Sequence, residues 1–467
     1  MNRALAISLA QRAAFCALLL FPGALLVAPQ ASAATTPTAA QTAEYEKLDE
    51  ATRTRLLIQL AKGGQPDLAE ALLQHYPLSG AHGANRTLFI EGLILKSRGD
   101  LTGAAKKYRA ALASDPGLTL VRAELAQTLT ELDEDDSAKH HLDILAQSAP
   151  SEDMAKGIRS FIDRIDQKLP IKYSAFISAA PTNNINGGSN HSTMTVYDPF
   201  TGQAVPANIT KKKSGVGAAV GASVGFSRRL GNDFSFVSAA NAYASLYQDS
   251  DFNSYGLSES AEVRYMLDKG FLGFGAVASQ GMTLYDKTPT ESAFEHVLSY
   301  GPRISAQYNV TTHDRVNASA NYQWKNSLEK DNHDGTSYGG DWALEHTFDP
   351  SLNATVFGGY SRVNAFNDYQ SYDQWSAGLG FYKELPGGIT VNARGTAMKM
   401  DFDGLFPILA IPRQDERLTA MVDLTKRDLN FFGFAPTVEY TYVHNRSNVD
   451  MYDYDSHTVD FRLTKDF

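Results

Sequence analysis

The fold of the larger part of this chain is decided by the stretch "GVGAAVGASVGFSRR", residues 215–229. Its alternate positions carry two different kinds of residue. The larger apolar set is Val216, Ala218, Val220, Ala222, Val224 and Phe226, and the smaller set is Gly217, Ala219, Gly221, Ser223 and Gly225. Because successive side chains of a β-strand point to opposite faces, this alternation predicts a strand with one apolar face and one face of small residues.

Segments with the same alternation recur from residue 171 to the C-terminus, and the connections between them alternate in length. The short connections are 230–233, 268–270, 311–314, 349–351, 386–388 and 426–430. The long, polar connections are 181–213, 248–254, 286–295, 328–337, 364–371, 401–414 and 445–453. Short turns on one rim and long loops on the other are typical of outer-membrane barrels. We therefore predict a transmembrane antiparallel β-barrel of about 14 strands over residues 171–467, with a water-soluble β-sandwich as the alternative.

The last strand of this barrel is predicted at the end of the chain, "HTVDFRLTKDF", residues 457–467. Backbone N–H and C=O groups in lipid must all be paired, so the last strand has to close the sheet against the first, near residues 172–181. We expect one alternating set to face lipid and the other to face the lumen: Val459, Phe461 and Leu463, and Asp460, Arg462 and Thr464, respectively. The terminal aromatic residue, Phe467, resembles the signal read by the outer-membrane barrel insertion machinery, which makes that machinery and outer-membrane lipid expected partners.

The N-terminal segment has the pattern of a secretory signal peptide. Arg3 and Arg12 precede or flank an apolar run over residues 13–27, and a small-residue cleavage pattern surrounds Ala33. We expect cleavage after Ala33, so that residues 1–33 are the signal peptide and residues 34–43 a linker; a membrane anchor is the alternative. The single cysteine, Cys16, lies in the signal peptide, so a mature chain without thiols or disulfides is expected.

The charge of the chain argues against nucleic acid as a partner. The precursor has a net charge of −10, and removal of Arg3 and Arg12 takes the mature chain to −12. The sequence contains no basic stripe of the kind that binds nucleic acid. We therefore expect an acidic, exported protein that does not bind nucleic acid.

Residues 44–170 have helical spacing and repeat with a period of 34 residues. A shortened first copy spans residues 60–77, and the copy over residues 86–116 places characteristic residues at Leu88, Gly92, Leu95, Ala104, Tyr108, Ala111 and Pro116. The same slots of the next copy hold Arg122, Ala126, Leu129, Ala138, Leu142, Leu145 and Pro150, and all but the first keep the residue type. This period resembles the tetratricopeptide repeat, and we predict about three repeats, with an ordinary helical bundle as the alternative.

Motifs that suggest chemistry have simpler explanations. The segment "GASVG" (221–225) matches a nucleophile-elbow pattern, but it lies inside a strand, where Ser223 is predicted to be a small lumen-facing residue. His140 and His141 are adjacent on a predicted helix, and neighbouring side chains chelate one metal poorly, so we interpret them as structural or surface histidines. Acid-rich segments at 329–338 and 450–455 do not fit a calcium loop. We expect no enzyme activity, cofactor or metal.

Two segments at the ends of the predicted barrel carry a likeness to a known family. They are "SAAPTNNIN" (178–186) and residues 426–467, which contain Gly433-Phe434-x-Pro436, the segment "NRSN" (445–448), a tyrosine-rich loop and the terminal Phe467. Together with the signal peptide, the short helical repeat and the barrel, these segments resemble the surface lipoprotein assembly modifiers, the Slam family. The resemblance implies an outer-membrane translocator that moves surface lipoproteins or secreted haem- or metal-scavenging proteins from the periplasm to the cell surface or medium.

Several expectations follow about how such a translocator is organised. The helical repeats would lie in the periplasm, where a concave face receives the cargo; in the tetratricopeptide pattern this face includes Arg86, Phe89, Lys96, Gln127 and Thr130. We expect a monomer whose small inward residues, such as Gly217, Gly221 and Gly225, leave room near the barrel wall. A polysaccharide exporter and a passive porin are the alternative functions.

Overall fold

The computed structural model describes residues 37–80, 82–168, 170–197, 201–288, 291–327, 334–407, 409–427, 429 and 434–464. These residues form eight α-helices and sixteen β-strands. The helices are α1 (Ala39–Lys47), α2 (Glu50–Lys62), α3 (Pro66–His75), α4 (Gly83–Ser97), α5 (Leu101–Ser114), α6 (Thr119–Glu131), α7 (Asp135–Gln147) and α8 (Glu152–Lys168). The strands are β1 (Ile171–Thr182), β2 (Thr193–Tyr197), β3 (Ala204–Asn208), β4 (Gly215–Arg229), β5 (Phe234–Tyr247), β6 (Ser254–Leu267), β7 (Gly270–Thr288), β8 (Glu291–Asn309), β9 (Asp314–Ser327), β10 (Gly335–Asp349), β11 (Leu352–Ala365), β12 (Tyr372–Leu385), β13 (Ile389–Leu405), β14 (Pro412–Lys426), β15 (Ala435–Ser447) and β16 (Tyr454–Thr464).

The helices form stacked hairpins, which confirms the tetratricopeptide-like fold. Small residues decide how closely the two helices of a hairpin approach. A Cβ added at Gly92 in α4 would overlap the ring of Tyr108 in α5, and Ala104, Tyr108 and Ala111 are completely buried. Side chains also define the helix starts, as where the Asp100 carboxylate accepts a hydrogen bond from the Gly103 amide at 2.8 Å before α5.

Fourteen of the described strands form a closed antiparallel barrel, as predicted. The last strand closes the barrel against the first, with Ser178 opposite Arg462 and Ala179 opposite Phe461. Phe461 and Leu463 are 53% and 46% exposed on the outer surface, whereas Asp460 accepts a hydrogen bond from Ser178. The predicted inward and outward faces of β16 are therefore correct for these residues. Residues 1–33 and Phe467 lie outside the described residues.

Short turns and long loops occupy opposite rims of the barrel, which we call the short-turn rim and the loop rim. One predicted loop is wrong: residues 286–295 are mostly strand, since β7 runs to Thr288 and β8 begins at Glu291. The polar residues in this range belong to strands that extend beyond the lipid. Outside the lipid a strand can be polar, so polarity there does not indicate a loop. The first long connection also contains the hairpin β2–β3, which the sequence did not reveal.

Aromatic rings fill the space that small inward residues were expected to leave near the wall. An added Cβ at Gly221 would overlap the ring of Phe176, and one at Gly217 would overlap the ring of Tyr247. The expectation of free space at these two glycines is therefore wrong. Ser223 faces the lumen as predicted, and its hydroxyl lies 2.6 Å from that of Ser174 on the neighbouring strand.

The connections on the loop rim pack against one another. Met194 of the β2–β3 hairpin, Phe406 of the β13–β14 connection and Val449 of the β15–β16 connection form a small buried apolar cluster. Arg413 lies beside it, with its guanidinium carbon 3.3 Å from the ring centre of Tyr452. These contacts hold three connections together over the loop rim. Among the described helices, none is long and apolar enough to cross a membrane.

Candidate functional site between the helices and the barrel

Helices α5 to α8 lie across the short-turn rim of the barrel. The contacts involve strands or turns at many points of the rim. They are Asp166 with Lys172 (2.6 Å), Asp163 with Arg229 (2.6 Å), Lys156 with Asp268, Asp143 with Arg315 (2.7 Å), Gln147 with Thr347 (2.8 Å) and the Ala113 carbonyl with the Gly387 amide (2.6 Å). Because these partners range from β1 to the β12–β13 turn, the helices cover the mouth of the barrel at this rim.

A buried ion pair holds the centre of this interface. Arg122 at the start of α6 and Glu384 at the end of β12 are 0% and 1% exposed. The guanidinium donates two hydrogen bonds to the carboxylate, at 3.1 Å to Oε1 and 2.8 Å to Oε2. Arg427, which follows β14, donates to Oε2 at 2.6 Å, and the Tyr382 hydroxyl donates to Oε1 at 2.7 Å. We call Arg122, Tyr382, Glu384 and Arg427 the latch.

The repeat architecture itself orients Arg122. Its second terminal nitrogen also donates to the carbonyl of Pro116, the residue that ends the preceding hairpin, at 2.8 Å. Arg122 occupies the slot that Leu88 fills one repeat earlier, and this was the one slot of the seven whose residue type changed. That break in the pattern was the available signal for the latch. The partner could not be found in this way, because Glu384 lies 262 positions away.

The two adjacent histidines lie against the latch and are structural residues of the interface. His141 Nδ1 is 3.3 Å from Arg122 Nη1, and His140 Nε2 is 3.4 Å from the Tyr382 hydroxyl. Burial lowers the pKa of His140 from its ordinary value. Burial, together with the charge of Arg122, lowers the pKa of His141 well below its ordinary value. Both imidazoles are therefore neutral at pH 7, and protonating either one would place a further cation beside two arginines.

The predicted cargo-contacting residues occupy different environments. Lys96 is on α4 and its side chain reaches α6, where its Nζ is 3.5 Å from Glu124 and 3.3 Å from Glu131. Gln127 donates to the same Glu131 at 3.1 Å, which brings it close to Lys96. Thr130 donates to the carbonyl of Ala126 at 3.0 Å within the same helix.

The two remaining predicted residues do not join this group. Arg86 lies near the start of α4, ten residues before Lys96, and pairs with Glu50 at 3.2 Å. Phe89 is only 6% exposed, and its ring centre lies 6.0 Å from that of Tyr108. Phe89 therefore belongs to the hydrophobic core rather than to an open concave surface, because its side of α4 packs on α5.

The lumen has polar and charged walls. A cavity of about 610 Å³ lies inside the barrel. Its lining includes Glu262, Arg264, Arg303, Asp341 and Arg394. Arg394 stacks on the ring of Phe357 at 3.9 Å, and Glu262 accepts hydrogen bonds from Arg264 and Ser305. A lining of this kind can hydrogen-bond to an extended polar chain. The described residues contain no cluster of three side chains that could hold a metal ion.

Comparisons with known proteins match both halves of the chain. A hemophilin secretion modulator of Acinetobacter baumannii is 24% identical over 85% of this chain and 82% of its own length. A surface lipoprotein assembly modifier of Pasteurella multocida is 21% identical over 81% of this chain and 75% of its own length. Among solved structures, a FadL homologue of Pseudomonas aeruginosa covers 64% of this chain and 90% of its own, at 10% identity and a TM-score of 0.36.

Family models match the same two regions. The model described as surface lipoprotein assembly modifier, N-terminal TPR repeats, matches residues 41–142. The model described as surface lipoprotein assembly modifier matches residues 172–467, which is more than half of the chain. This chain therefore belongs to the surface lipoprotein assembly modifier family, whose barrel domain forms the C-terminal part and whose helical repeats form the N-terminal part.

Proposed function

We propose that this protein is an outer-membrane translocator in which the helical repeats receive a cargo protein in the periplasm and the barrel provides its route outward. The observation that carries this proposal is the position of the repeats across one mouth of the barrel, fixed by the buried pair of Arg122 and Glu384. A cargo bound to the repeats is thereby delivered to the entrance. The short-turn rim is then the periplasmic rim, and the loop rim faces the outside.

The cargo is a surface lipoprotein or a secreted haem- or metal-scavenging protein. The Acinetobacter relative is named for the secretion of hemophilin and the Pasteurella relative for the assembly of surface lipoproteins. Both names describe a protein substrate, which favours a protein translocator over a polysaccharide exporter or a passive porin. The two relatives are 24% and 21% identical to this chain. Because these values are similar, the proposal includes both types of cargo.

The geometry suggests an order of events. The docked helices cover the periplasmic mouth, so a cargo engaged by the repeats enters only after the latch opens. A barrel of 14 strands lies between those filled by side chains and those with wide channels, so its lumen suits an extended segment or hairpin better than a folded domain. Folding of the cargo outside would then withdraw the translocated segment and drive transport.

Site-specific photocrosslinking tests the receiving role. A photoreactive phenylalanine analogue at Gln127 on α6, close to Glu131 of the same helix and to Lys96 of α4, should crosslink to a matched cargo protein in cells. The same analogue at Lys106, which is exposed on the second helix of a repeat, is the control and should not. Equal crosslinking at the two positions, or none at Gln127 while cargo still reaches the surface, would show that the repeats do not receive cargo through this face.

Deletion of residues 44–168 provides a second test. Surface display of the cargo should be lost, while the barrel still inserts and retains the heat-modifiable gel mobility of a folded outer-membrane protein. Display that persists after this deletion contradicts the receiving role.

A further inference from the structure

Two arginines of the barrel wall point into the lumen without a partner in the chain. Arg303 on β8 and Arg394 on β13 both line the cavity of about 610 Å³. Arg303 lies at an odd position, whereas the exposed Tyr300 and Ile304 lie at even positions on the outer face of the same strand. Neither arginine forms a hydrogen bond or an ion pair with any residue that the structure describes, and Nε of Arg303 is buried without an acceptor.

The other arginines that face the lumen from the described strands do have partners. Each of them donates to a carboxylate or, in the case of Arg417, to an amide oxygen. The pairs are Arg229 with Asp163 (2.6 Å), Arg264 with Glu262 (2.5 Å), Arg315 with Asp143 (2.7 Å), Arg413 with Asp415, Arg417 with Asn445 (3.1 Å) and Arg462 with Glu439. Because a charge withdrawn from water is costly unless it is paired, Arg303 and Arg394 stand apart from the rest of this lumen.

Arg394 is held in an orientation that suits an anion. Its guanidinium carbon lies 3.9 Å from the ring centre of Phe357, which also lines the cavity. Stacking on an aromatic ring uses the face of the guanidinium and leaves the N–H groups at its edge available. These N–H groups form a planar fork that matches the oxygens of a carboxylate or a phosphate. The unpaired edge of Arg394 can therefore donate to such a group without reorientation.

A second cavity extends the unpaired positive charge toward the loop rim. It has a volume of about 330 Å³, shares Asp341 and Gln374 with the first cavity, and is lined by Lys325 of β9. Lys325 forms no hydrogen bond or ion pair with any described residue. It lies four positions beyond Asn321, the residue opposite Arg303, and this separation is about 13 Å along the strand.

The two cavities together carry an excess of unpaired cations. Glu262 is neutralised by its ion pair with Arg264, which leaves Asp341 as the unpaired carboxylate of the described lining. The three unpaired cations of the two cavities therefore face one unpaired carboxylate. This lining attracts a ligand of negative charge, although the whole chain has a net charge of −10.

We propose that Arg303, Arg394 and Lys325 form an anion-binding site in the lumen, which we call the lumenal anion site. Its ligand is a carboxylate or phosphate group held by Arg303 and Arg394, with Lys325 as the next contact toward the loop rim. The first cavity has the volume of an ordinary ligand site. The spacing of about 13 Å suits an extended chain that carries acidic groups about four residues apart, and a free anion offers the same chemistry at one position. The proposal does not depend on the translocator function, because binding is measured on the isolated protein.

Equilibrium dialysis of the purified protein in detergent tests the lumenal anion site with two radiolabelled probes, inorganic phosphate and a hexaglutamate peptide. At least one probe should bind, whereas a hexaglutamine peptide of the same length should not. Binding of phosphate alone identifies a free anion as the ligand, and tighter binding of hexaglutamate identifies acidic groups on a chain. Arg303→Gln and Arg394→Gln should each weaken binding at least tenfold, because each removes a charged donor. Unchanged binding in both variants, or equal binding of hexaglutamine, overturns the proposal.

A matched variant separates a defined site from the general charge of the lumen. Arg417→Gln removes a lumen-facing charge outside both cavities, so it should change the affinity less than twofold, and a tenfold loss there would contradict a defined site. Because the helices cover the short-turn rim, the dialysis is repeated with Glu384→Gln, which is expected to uncover that end. Absence of binding in both backgrounds refutes the proposal. Heat-modifiable mobility confirms that each variant is folded.

Discussion

Removing the charge of Glu384 should release the helices from the barrel, and the size of the effect can be worked out from the latch. Glu384 accepts hydrogen bonds from Arg122, Arg427 and Tyr382 in a completely buried environment. Removing one partner of a buried ion pair costs about 3–5 kcal/mol, because the remaining charge is left uncompensated. Since Glu384→Gln leaves two arginines in this position, it should raise the undocked fraction by about 10² to 10³·⁵.

A matched series separates this effect from a general loss of stability. Arg122→Met leaves Glu384 paired with Arg427 and should cost about 1.5–3 kcal/mol, the value of a hydrogen bond to a charged group. Lys156→Ala breaks an ion pair whose side chains are 60% and 66% exposed, so it should cost less than about 1 kcal/mol. The expected order of undocking is therefore Glu384→Gln, then Arg122→Met, then Lys156→Ala.

Maleimide labelling measures the undocked fraction. Thr347→Cys, in a background without Cys16, places a thiol at a rim position that is buried against Gln147 of α7. When docking and undocking are fast relative to labelling, the labelling rate is proportional to the undocked fraction. Equal labelling rates for Glu384→Gln and Lys156→Ala, or a larger effect of Arg122→Met than of Glu384→Gln, would refute the assignment of the latch as the main docking contact.

Three further predictions concern pH, repeat packing and insertion. Burial lowers the pKa of His140 and His141 in the docked state, so the undocked state binds protons at a higher pH than the docked state. Docking should therefore be strongest above about pH 6.5 and weaken below it. The same maleimide labelling at pH 7.5 and 5.5 measures this, and equal labelling rates at the two pH values contradict it. Gly92→Ala should destabilise the helices by about 1–3 kcal/mol through overpacking. Gly157→Ala should not, because a Cβ added at Gly157 has no atom within 4 Å. Thermal unfolding followed by circular dichroism distinguishes the two variants. Deletion of Phe467 should lower the amount of heat-modifiable barrel in outer membranes, and an unchanged amount would show that this residue is not an insertion signal.

The barrel could be predicted from the sequence because its rules are local. Alternation of residues identifies a strand, and alternation of connection lengths identifies the two rims. The closure of β16 on β1 follows from the requirement that backbone groups in lipid be paired. Polarity misplaced the loop at 286–295, because strands that extend beyond the lipid become polar without ending.

The latch could not be found in the same way. The Arg122–Glu384 pair depends on how two domains dock, and no local pattern connects residues 262 positions apart.

The two ends of the barrel are held by contacts of different kinds, and this bears on how transport is controlled. Helices α5 to α8 cover the short-turn rim, and the cluster of Met194, Phe406 and Val449 ties three connections together at the loop rim. The contact of the helices depends on buried charge, whereas the contact at the loop rim is a small apolar cluster. Loss of the latch is therefore expected to uncover the helical end of the barrel without disturbing the cluster at the loop rim.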